Sequence, residues 1–366
     1  MSQEVFYRKY RPQSFDEVYD QKAIKQTLQN AILNDKLAHA YLFTGPRGTG
    51  KTTMARIFAK AINCQNRKSN QFEPCNKCES CNSVNNGSSF DVIEFDAATN
   101  TGINEIRALQ DNSAIKPTTG KYKIYIIDES HQLSKSACSA LLKILEEPPE
   151  YIIFILATTD PEKMLKTILS RVQRFDFKKI NLEDIVKKLE AILKKEKISY
   201  ELPALHLIAK ESEGGLRDAE SLLNQLTTLN DKITLLSAEE MIGGIGQNKL
   251  SMFVDLMVDK NLKAVFEFIN DLDENGYNLE EFFKQLLGYM QNLLTIKVSE
   301  DLASILKKDM SDDLIENIKN QAKKVDIKFI QNGLEAMIKN QDYFGSVTNP
   351  KLPLELTILE IIPIQE

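Results

Sequence analysis

The chain has 366 residues, 27% of them charged and 42% hydrophobic, with 15 Gly, 11 Pro and a formal charge of −6. That length exceeds what one hydrophobic core normally organises, so two or three domains are expected, and the composition excludes a disordered or low-complexity chain. The negative balance excludes broad autonomous affinity for a polyanion, which needs many cations releasing counterions, and confines any nucleic-acid contact to one face or to a surface shared with other subunits.

The opening MSQEVFYRKYRP has no apolar run behind its basic residues, and no stretch of about eighteen uncharged apolar residues follows, so a soluble, unexported, cytoplasmic protein without membrane contact is expected. Residues 40–62, AYLFTGPRGTGKTTMARIFAKAI, read as a short apolar strand, a Gly-rich turn and a helix in which Met54, Ile57, Phe58, Ala61 and Ile62 keep helical spacing. A polar segment with four cysteines interrupts the pattern, and FDVIEFDAATN at 90–100 returns to strand and turn. A helix is predicted from Asn104, and KYKIYIIDES at 121–130 is a second apolar strand. Ser134 can cap the next helix, whose Ala137, Leu141, Leu142 and Leu145 share a face and which ends before Pro148. YIIFILATTD at 151–160 is a third apolar strand, followed by a helix near 163–169 and the polar SRVQRFDF. Strands alternating with helices, and apolar beyond a two-residue period, indicate an α/β fold with a parallel sheet covered on both faces.

From about Ile180 the strands stop and helical patterns take over, with Gly214 and Gly215 marking a turn before a helix opening near Leu216. GGIGQNKL at 243–250 is a junction, beyond which amphipathic segments at 250–258, 262–272 and 279–296 form an all-helical unit without catalytic motifs. The expected division is 1–179, 180–243 and 244–366.

GPRGTGKTT carries the full phosphate-binding loop pattern between a strand and a helix. Gly45, Pro46, Arg47, Gly48, Thr49, Gly50 and Thr53 belong to the loop whose backbone N–H groups would cradle phosphates. Lys51 would reach the terminal phosphates and Thr52 would ligate magnesium. Asp128 and Glu129 end an apolar strand and should emerge at the carboxyl edge of the sheet, Asp128 on the metal and Glu129 orienting the attacking water. The cysteines are Cys64, Cys75, Cys78 and Cys81, a spacing suited to four thiolates on a structural zinc that replaces the missing apolar core. An iron–sulfur centre and unliganded thiols are the alternatives. Cys138 sits on an apolar helix face as a small core residue, and His39, His131 and His206 lack ligand-like spacing.

Taken together, FYRKYRPQSFDEV, HAYLFTGPRGTGKTT, the four cysteines, DVIEFDAATNTGINEIR, KYKIYIIDES, SALLKILEEPPEYIIFILATT, ILSRVQRFDF and GGLRDAESLL closely resemble the gamma/tau family of bacterial DNA polymerase III clamp-loader subunits. The likeness is dense from Tyr7 to about Leu223 and looser beyond. It implies an AAA+ phosphate-loop domain, a helical lid and an all-helical collar that joins subunits into a pentameric ring. It implies ATP, Mg2+ and Zn2+ as cofactors. Thr159 matches the sensor 1 position, beside Thr158. Arg217 matches sensor 2, and Arg171 the arginine finger reaching a neighbouring subunit's ATP. Tyr10, Arg11 and Pro12 match the segment near adenine and ribose.

The partners implied are delta and delta-prime subunits, further gamma/tau copies, the beta sliding clamp and primer-template DNA, in a nucleoid-associated assembly. Helicase and polymerase contacts are implied only if a longer C-terminal region exists. The activity implied is ATP hydrolysis; the family's class label, DNA-directed DNA polymerase, describes the holoenzyme, since this chain would not itself polymerise. Departures from the family pattern are Asp20 for glycine, Ser130 for valine, Gln132 for methionine and Val172 for cysteine, none removing a catalytic group. Two other classes share some features: an AAA+ scaffold with little ATPase activity, and a different DNA-dependent AAA+ motor. The intact Lys51, Thr52, Asp128 and Glu129 disfavour the first, and the cysteine segment with the SRV stretch disfavours the second.

Overall fold

The structure is a computed structural model that describes residues 4–99, 109, 113, 115–242, 247–299, 301 and 312–362. The helix expected from Asn104 and the start of the 243–250 junction lie outside the described residues. The chain resolves into two compact units, residues 1–198 with 208–228, and residues 199–207 with 229–366.

The first unit holds a parallel sheet of β1 (Ala40–Thr44), β2 (Val92–Asp96), β3 (Lys123–Asp128), β4 (Ile152–Thr158) and β5 (Gln173–Asp176), in the order β2-β3-β4-β1-β5. Alternate residues face opposite ways, and here both faces are apolar. Tyr41, Phe43, Ile124, Ile126, Ile153 and Ile155 meet Ile24, Leu28 and Ile32 of α2 (Lys22–Leu33) and Met54, Ile57 and Phe58 of α3 (Lys51–Asn63), an N-terminal one-turn helix α1 (Phe6–Lys9) preceding both. Leu42, Tyr125, Ile127, Phe154 and Leu156 face the other layer, supplied after the short α4 (Glu79–Asn85) by Leu141 and Leu145 of α5 (Lys135–Glu146) and Ile168 of α6 (Lys166–Leu169). Ser134 caps α5 by accepting from the Ala137 N–H at 3.2 Å.

Parallel pairing sets Thr44 beside Thr158 and Asp96 beside Asp128, which brings the carboxyl ends of the strands to one edge. β5 was not visible in the polar SRVQRFDF because only Phe175 of its four residues is buried, its ring 5.7 Å from that of Phe43. The unit also holds α7 (Leu182–Glu196) and α9 (Leu216–Leu229) up to residue 228; in chain order α8 (Leu202–Glu211) comes between them, and the division between the units falls within it, after residue 207.

The expectation that strands end near Ile180 is corrected by a two-residue parallel pairing of Ser199–Tyr200 with Lys232–Ile233, too short to leave a period in the sequence. That pairing belongs to the second unit, which is otherwise helical: α10 (Leu235–Ile242), α11 (Gln247–Val258), α12 (Leu262–Glu274), α13 (Leu279–Val298), α14 (Asp312–Lys324), α15 (Ile327–Asn340) and α16 (Leu352–Ile361). Phe253, Phe282, Leu286, Met290 and Leu293 form its core. A buried polar relay crosses that core: the Tyr289 hydroxyl donates to Gln321 Oε1 at 2.7 Å, and Gln321 Nε2 donates to the Ser251 carbonyl at 2.8 Å. Gln321 Nε2 also has Ser251 Oγ at 3.1 Å, and such pairing is what lets polar groups sit in an apolar interior.

Candidate nucleotide site and cysteine cluster

The loop after β1 needs glycine for steric reasons. Gly45 has φ 140°, and a Cβ there would stand 2.3 Å from the Phe177 carbonyl oxygen. Gly48 has φ 76° and lies so near Gly215 that a Cβ would meet its Cα at 2.9 Å; the Leu216 N–H donates to the Gly48 carbonyl at 3.0 Å. The loop is therefore stitched to the turn that opens α9. Lys51 begins α3 and its Nζ donates to the Gly45 and Pro46 carbonyls, each at 2.8 Å. Burial lowers the Lys51 pKa, and the charges of Glu129 and Asp128 oppose that shift. Thr49 Oγ1 donates to the Pro46 carbonyl at 2.8 Å and fixes the loop internally.

Across the crevice, Thr52 Oγ1 donates to Asp128 Oδ2 at 2.7 Å, so the two groups expected on one metal ion already converge. Glu129 is in the left-handed region, φ 46°, where the chain turns sharply off β3. Its Oε2 accepts from Thr159 Oγ1 at 3.1 Å and has His131 Nδ1 at 3.4 Å. Thr158 is buried, lies 2.9 Å from His131 Nδ1 and accepts from the Asp160 N–H. Of the two adjacent threonines, Thr159 is the one that touches the acid.

Thr49, Lys51, Thr52, Asp128 and Glu129 line a cavity of about 350 Å³ that also includes Arg47, Gly48, Gly50 and Thr53, while Thr159 reaches it only through Glu129. Gly45 and Pro46 take part through the carbonyls that hold Lys51. Of the N-terminal trio, Arg11 and Pro12 line the cavity, whereas Tyr10 lies in a neighbouring recess with its hydroxyl donating to Glu196 Oε1 at 2.6 Å. Tyr7 takes the cavity side instead, with the Arg217 guanidinium 4.9 Å from its ring centroid. One turn of α1 separates the two tyrosines, so the motif alone did not say which would face in. Val18, Tyr19, Ile180, Leu216 and Glu220 complete its lining.

Arg171 stands apart from this cavity. It pairs with Glu146 at 3.0 Å, donates to the Thr167 carbonyl at 2.7 Å and borders an open recess of about 580 Å³ with His39, Val172 and Gln173. The departures are accommodated locally. Ser130 is fully buried and donates to the Ala157 carbonyl at 3.1 Å, Gln132 is exposed, and Asp20 adopts φ 56° where glycine would be unstrained.

Residues 64–81 fold around sulfur. The Sγ atoms of Cys64, Cys75, Cys78 and Cys81 all lie within 4.8 Å of one another. Backbone N–H groups point at two of them: Cys75 N to Cys64 Sγ at 3.3 Å, Lys77 N and Cys78 N to Cys75 Sγ at 3.4 and 3.2 Å. Burial raises the Cys64 and Cys81 thiols; at Cys75 burial pushes the same way but the N–H donors of Lys77 and Cys78 and the adjacent thiols overcome it, to about 6. Four sulfurs this close suit one tetrahedral metal ion, for which bonds near 2.3 Å put sulfurs about 3.8 Å apart. An iron–sulfur cluster would interpose its own iron and sulfide and hold the thiolates farther apart.

Glu73 and Lys60 are among the groups that tether this module to the unit. Glu73 accepts from the Phe15 and Asp16 N–H groups at 2.9 and 3.1 Å. Lys60, 1% exposed on α3, donates to the Gln13 carbonyl, Gln13 Oε1, Asn76 Oδ1 and Asn85 Oδ1 at 2.7–3.0 Å.

Comparison with known proteins fits this arrangement. Residues 20–181 match the family described as DNA polymerase III, delta subunit; 184–229 match DNA polymerase III clamp loader subunit, ATPase lid domain; and 233–366 match DNA polymerase III subunits gamma and tau domain III. DNA polymerase III subunit gamma of Buchnera aphidicola subsp. Schizaphis graminum is 34% identical, over 99% of each chain. The chain belongs to the gamma/tau family of DNA polymerase III. Within the family, Bacillus subtilis subunit tau is 40% identical across 99% of this chain, and Escherichia coli subunit tau 39% across 83%. The chain spans 63% and 48% of the length of those two relatives. Among solved structures, Thermotoga maritima RuvB T158V aligns with 73% of this chain and 89% of its own, at 18% identity and a TM-score of 0.48. The fold is that of an AAA+ phosphate-loop α/β domain followed by a helical lid and an all-helical region. Among the described residues no helix is long and apolar enough to cross a membrane.

Proposed function

We propose that this chain is the ATPase subunit of a bacterial replicative clamp loader, using ATP binding and hydrolysis to load a sliding clamp onto primer-template DNA. The observation that carries the reading is the convergence of Lys51, Thr52, Asp128 and Glu129 on one crevice, with Thr159 hydrogen-bonded to Glu129, in a gamma/tau family chain. The phosphates lie along the loop from Gly45 to Thr53, with Lys51 released from the Gly45 and Pro46 carbonyls to meet them. Thr52 and Asp128 would hold Mg2+, which would supply charge neutralisation to the phosphates. Glu129, steadied by Thr159, orients the attacking water, and Arg217 approaches the terminal phosphate from the lid. Arg171, outside its own chain's cavity, serves as the finger for the nucleotide of an adjacent copy. Cys64, Cys75, Cys78 and Cys81 hold Zn2+ as a structural ion.

The proposed division is 1–179 for the ATPase domain, 180–243 for the lid and 244–366 for the collar. The partners are delta, delta-prime, further gamma/tau copies, the beta clamp and primed DNA, in the cytoplasm at the nucleoid. The test is ATP turnover by the chain reconstituted with those subunits, with and without clamp and primed DNA. Joint stimulation by clamp and DNA, lost in Arg171→Ala with ATP still bound, is expected. Turnover indifferent to the clamp overturns the loader reading and returns the weight to a different AAA+ motor.

A further inference from the structure

Arg11, Pro12, Val18 and Tyr19 line the nucleotide cavity from the stretch between α1 and α2, which has no helix or strand of its own. Without a backbone ladder, such a segment must be held by other partners. The middle of the stretch, residues 13–16, is held by the cysteine module. Glu73 takes the Phe15 and Asp16 N–H groups, Asn76 Nδ2 donates to the Gln13 carbonyl at 3.0 Å, and the Phe72 ring meets that of Phe15 edge-on, centroids 6.3 Å apart. Lys60 bridges the two parts, donating to both oxygens of Gln13 and to Asn76 and Asn85. Gln13 passes the contact on, its Nε2 donating to the Arg11 carbonyl at 3.2 Å. None of Gln13, Glu73 and Asn76 lines the cavity itself. Residues 71–77, which carry the grip, lack helix and strand as well, and the interior of their module is the four cysteines.

We propose that the cysteine module positions one wall of the nucleotide cavity: Asn76, Glu73 and Gln13 hold the segment bearing Arg11, Pro12 and Val18, so that metal occupancy of the cysteines and nucleotide affinity are coupled. The inference rests on the ATP reading above. A metal ion on Cys64, Cys75, Cys78 and Cys81 fixes the chain on both sides of Glu73 and Asn76, which lie between the second cysteine's neighbours and the first. Without the ion the module has no apolar core to keep that shape, because metal binding and local folding are one event in such a site. Residues 13–16 then lose the donors and acceptors that order them, and the cavity wall is free to move. Linkage makes the effect reciprocal: the factor by which metal tightens nucleotide binding is the factor by which nucleotide tightens metal binding.

The experiment measures the affinity of the full chain for the non-hydrolysable analogue AMP-PNP with Zn2+ bound and after its removal by a chelator, and the affinity for Zn2+ with and without AMP-PNP. Zn2+ removal should weaken AMP-PNP binding about tenfold, and AMP-PNP should tighten Zn2+ binding by the same factor. Gln13→Glu keeps an acceptor for Lys60 but lacks the donor to the Arg11 carbonyl. Loaded with Zn2+, it should bind AMP-PNP about threefold more weakly and raise KM for ATP by a similar factor, with kcat within about twofold of native. Glu73→Ala should weaken AMP-PNP binding comparably, and Glu73→Gln, which keeps one acceptor oxygen, should recover part of that loss. If the Zn2+-free chain stays folded by circular dichroism and binds AMP-PNP as tightly as the loaded one, the proposal is overturned. If the Zn2+-free chain unfolds, the loaded variants decide, and native affinity in both Gln13→Glu and Glu73→Ala overturns it. A loaded native chain that binds no AMP-PNP sinks the ATP reading itself; tight binding indifferent to Zn2+ and to these variants sinks this inference alone.

Discussion

Helix α3 carries a buried lysine near each end, and the two ends are used differently. At the N-terminus Lys51 lies among loop carbonyls, facing the charges of Asp128 and Glu129 across an open crevice. Near the C-terminus Lys60 is sealed among four neutral oxygens from the N-terminal segment and the cysteine module. Burial lowers both, Lys60 to about 8, with the nearby Cys81 and Glu17 opposing the shift there. The same residue type thus borders an open crevice at one end and is a structural tie at the other. What separates them is that Lys51 borders an open cavity whereas Lys60 is enclosed on every side by its acceptors.

Breaking each end should give different symptoms. Lys51→Ala should lower ATP turnover about a hundred- to a thousandfold while the thermal unfolding temperature changes little, as steady-state hydrolysis and a melting curve will show. Lys60→Met should do the reverse, leaving several buried acceptors without a donor. A stability loss of about 3 kcal/mol is expected in urea titration, together with faster loss of metal from the cysteine cluster to a chelator. If Lys60→Met melts like the native protein and keeps its metal, the structural half of the comparison is wrong.

A buried anion close to this end of α3 sharpens the contrast. Asp91 accepts from the N–H groups of Thr118, Thr119 and Gly120 and from Thr119 Oγ1, at 2.6–2.8 Å. Burial alone would raise its pKa, but these donors outweigh it and the net shift is downward from 3.8. Its contribution is therefore complete above about pH 3.8 and lost as the pH falls through the lower folded-state value. Asp91→Asn should cost about 2 kcal/mol at neutral pH and flatten the acid limb of the stability curve below pH 4. The smallest effect belongs to Asp20. Asp20→Gly should relieve a left-handed φ of 56° and add about 1 kcal/mol, measurable as a rise in melting temperature.

What the sequence made legible follows the distance over which each feature is encoded. The phosphate loop, the acidic pair and the cysteine spacing each lie within a short segment, and the structure closes Thr52 onto Asp128 and gathers the four thiols. The three long apolar strands were equally plain, since both of their faces are buried. Tyr7, Tyr19 and Glu220 were missed as cavity residues because no local pattern marks them; the fold brings α1 and α9 to the same crevice. Glu220 in particular reads in sequence as an ordinary acid on an amphipathic helix, and only its burial sets it apart.

The contact between Gly48 and Gly215 limits how the first unit can respond to a ligand. With no side chain on either residue, two backbone segments touch directly, and the Leu216 N–H reaches the Gly48 carbonyl at 3.0 Å. A hydrogen bond of that length tolerates a displacement of only about a few tenths of an ångström before it weakens. The 45–53 loop and the helix bearing Arg217 and Glu220 are therefore a single mechanical coordinate: a shift of one carries the other, with no side-chain slack between them.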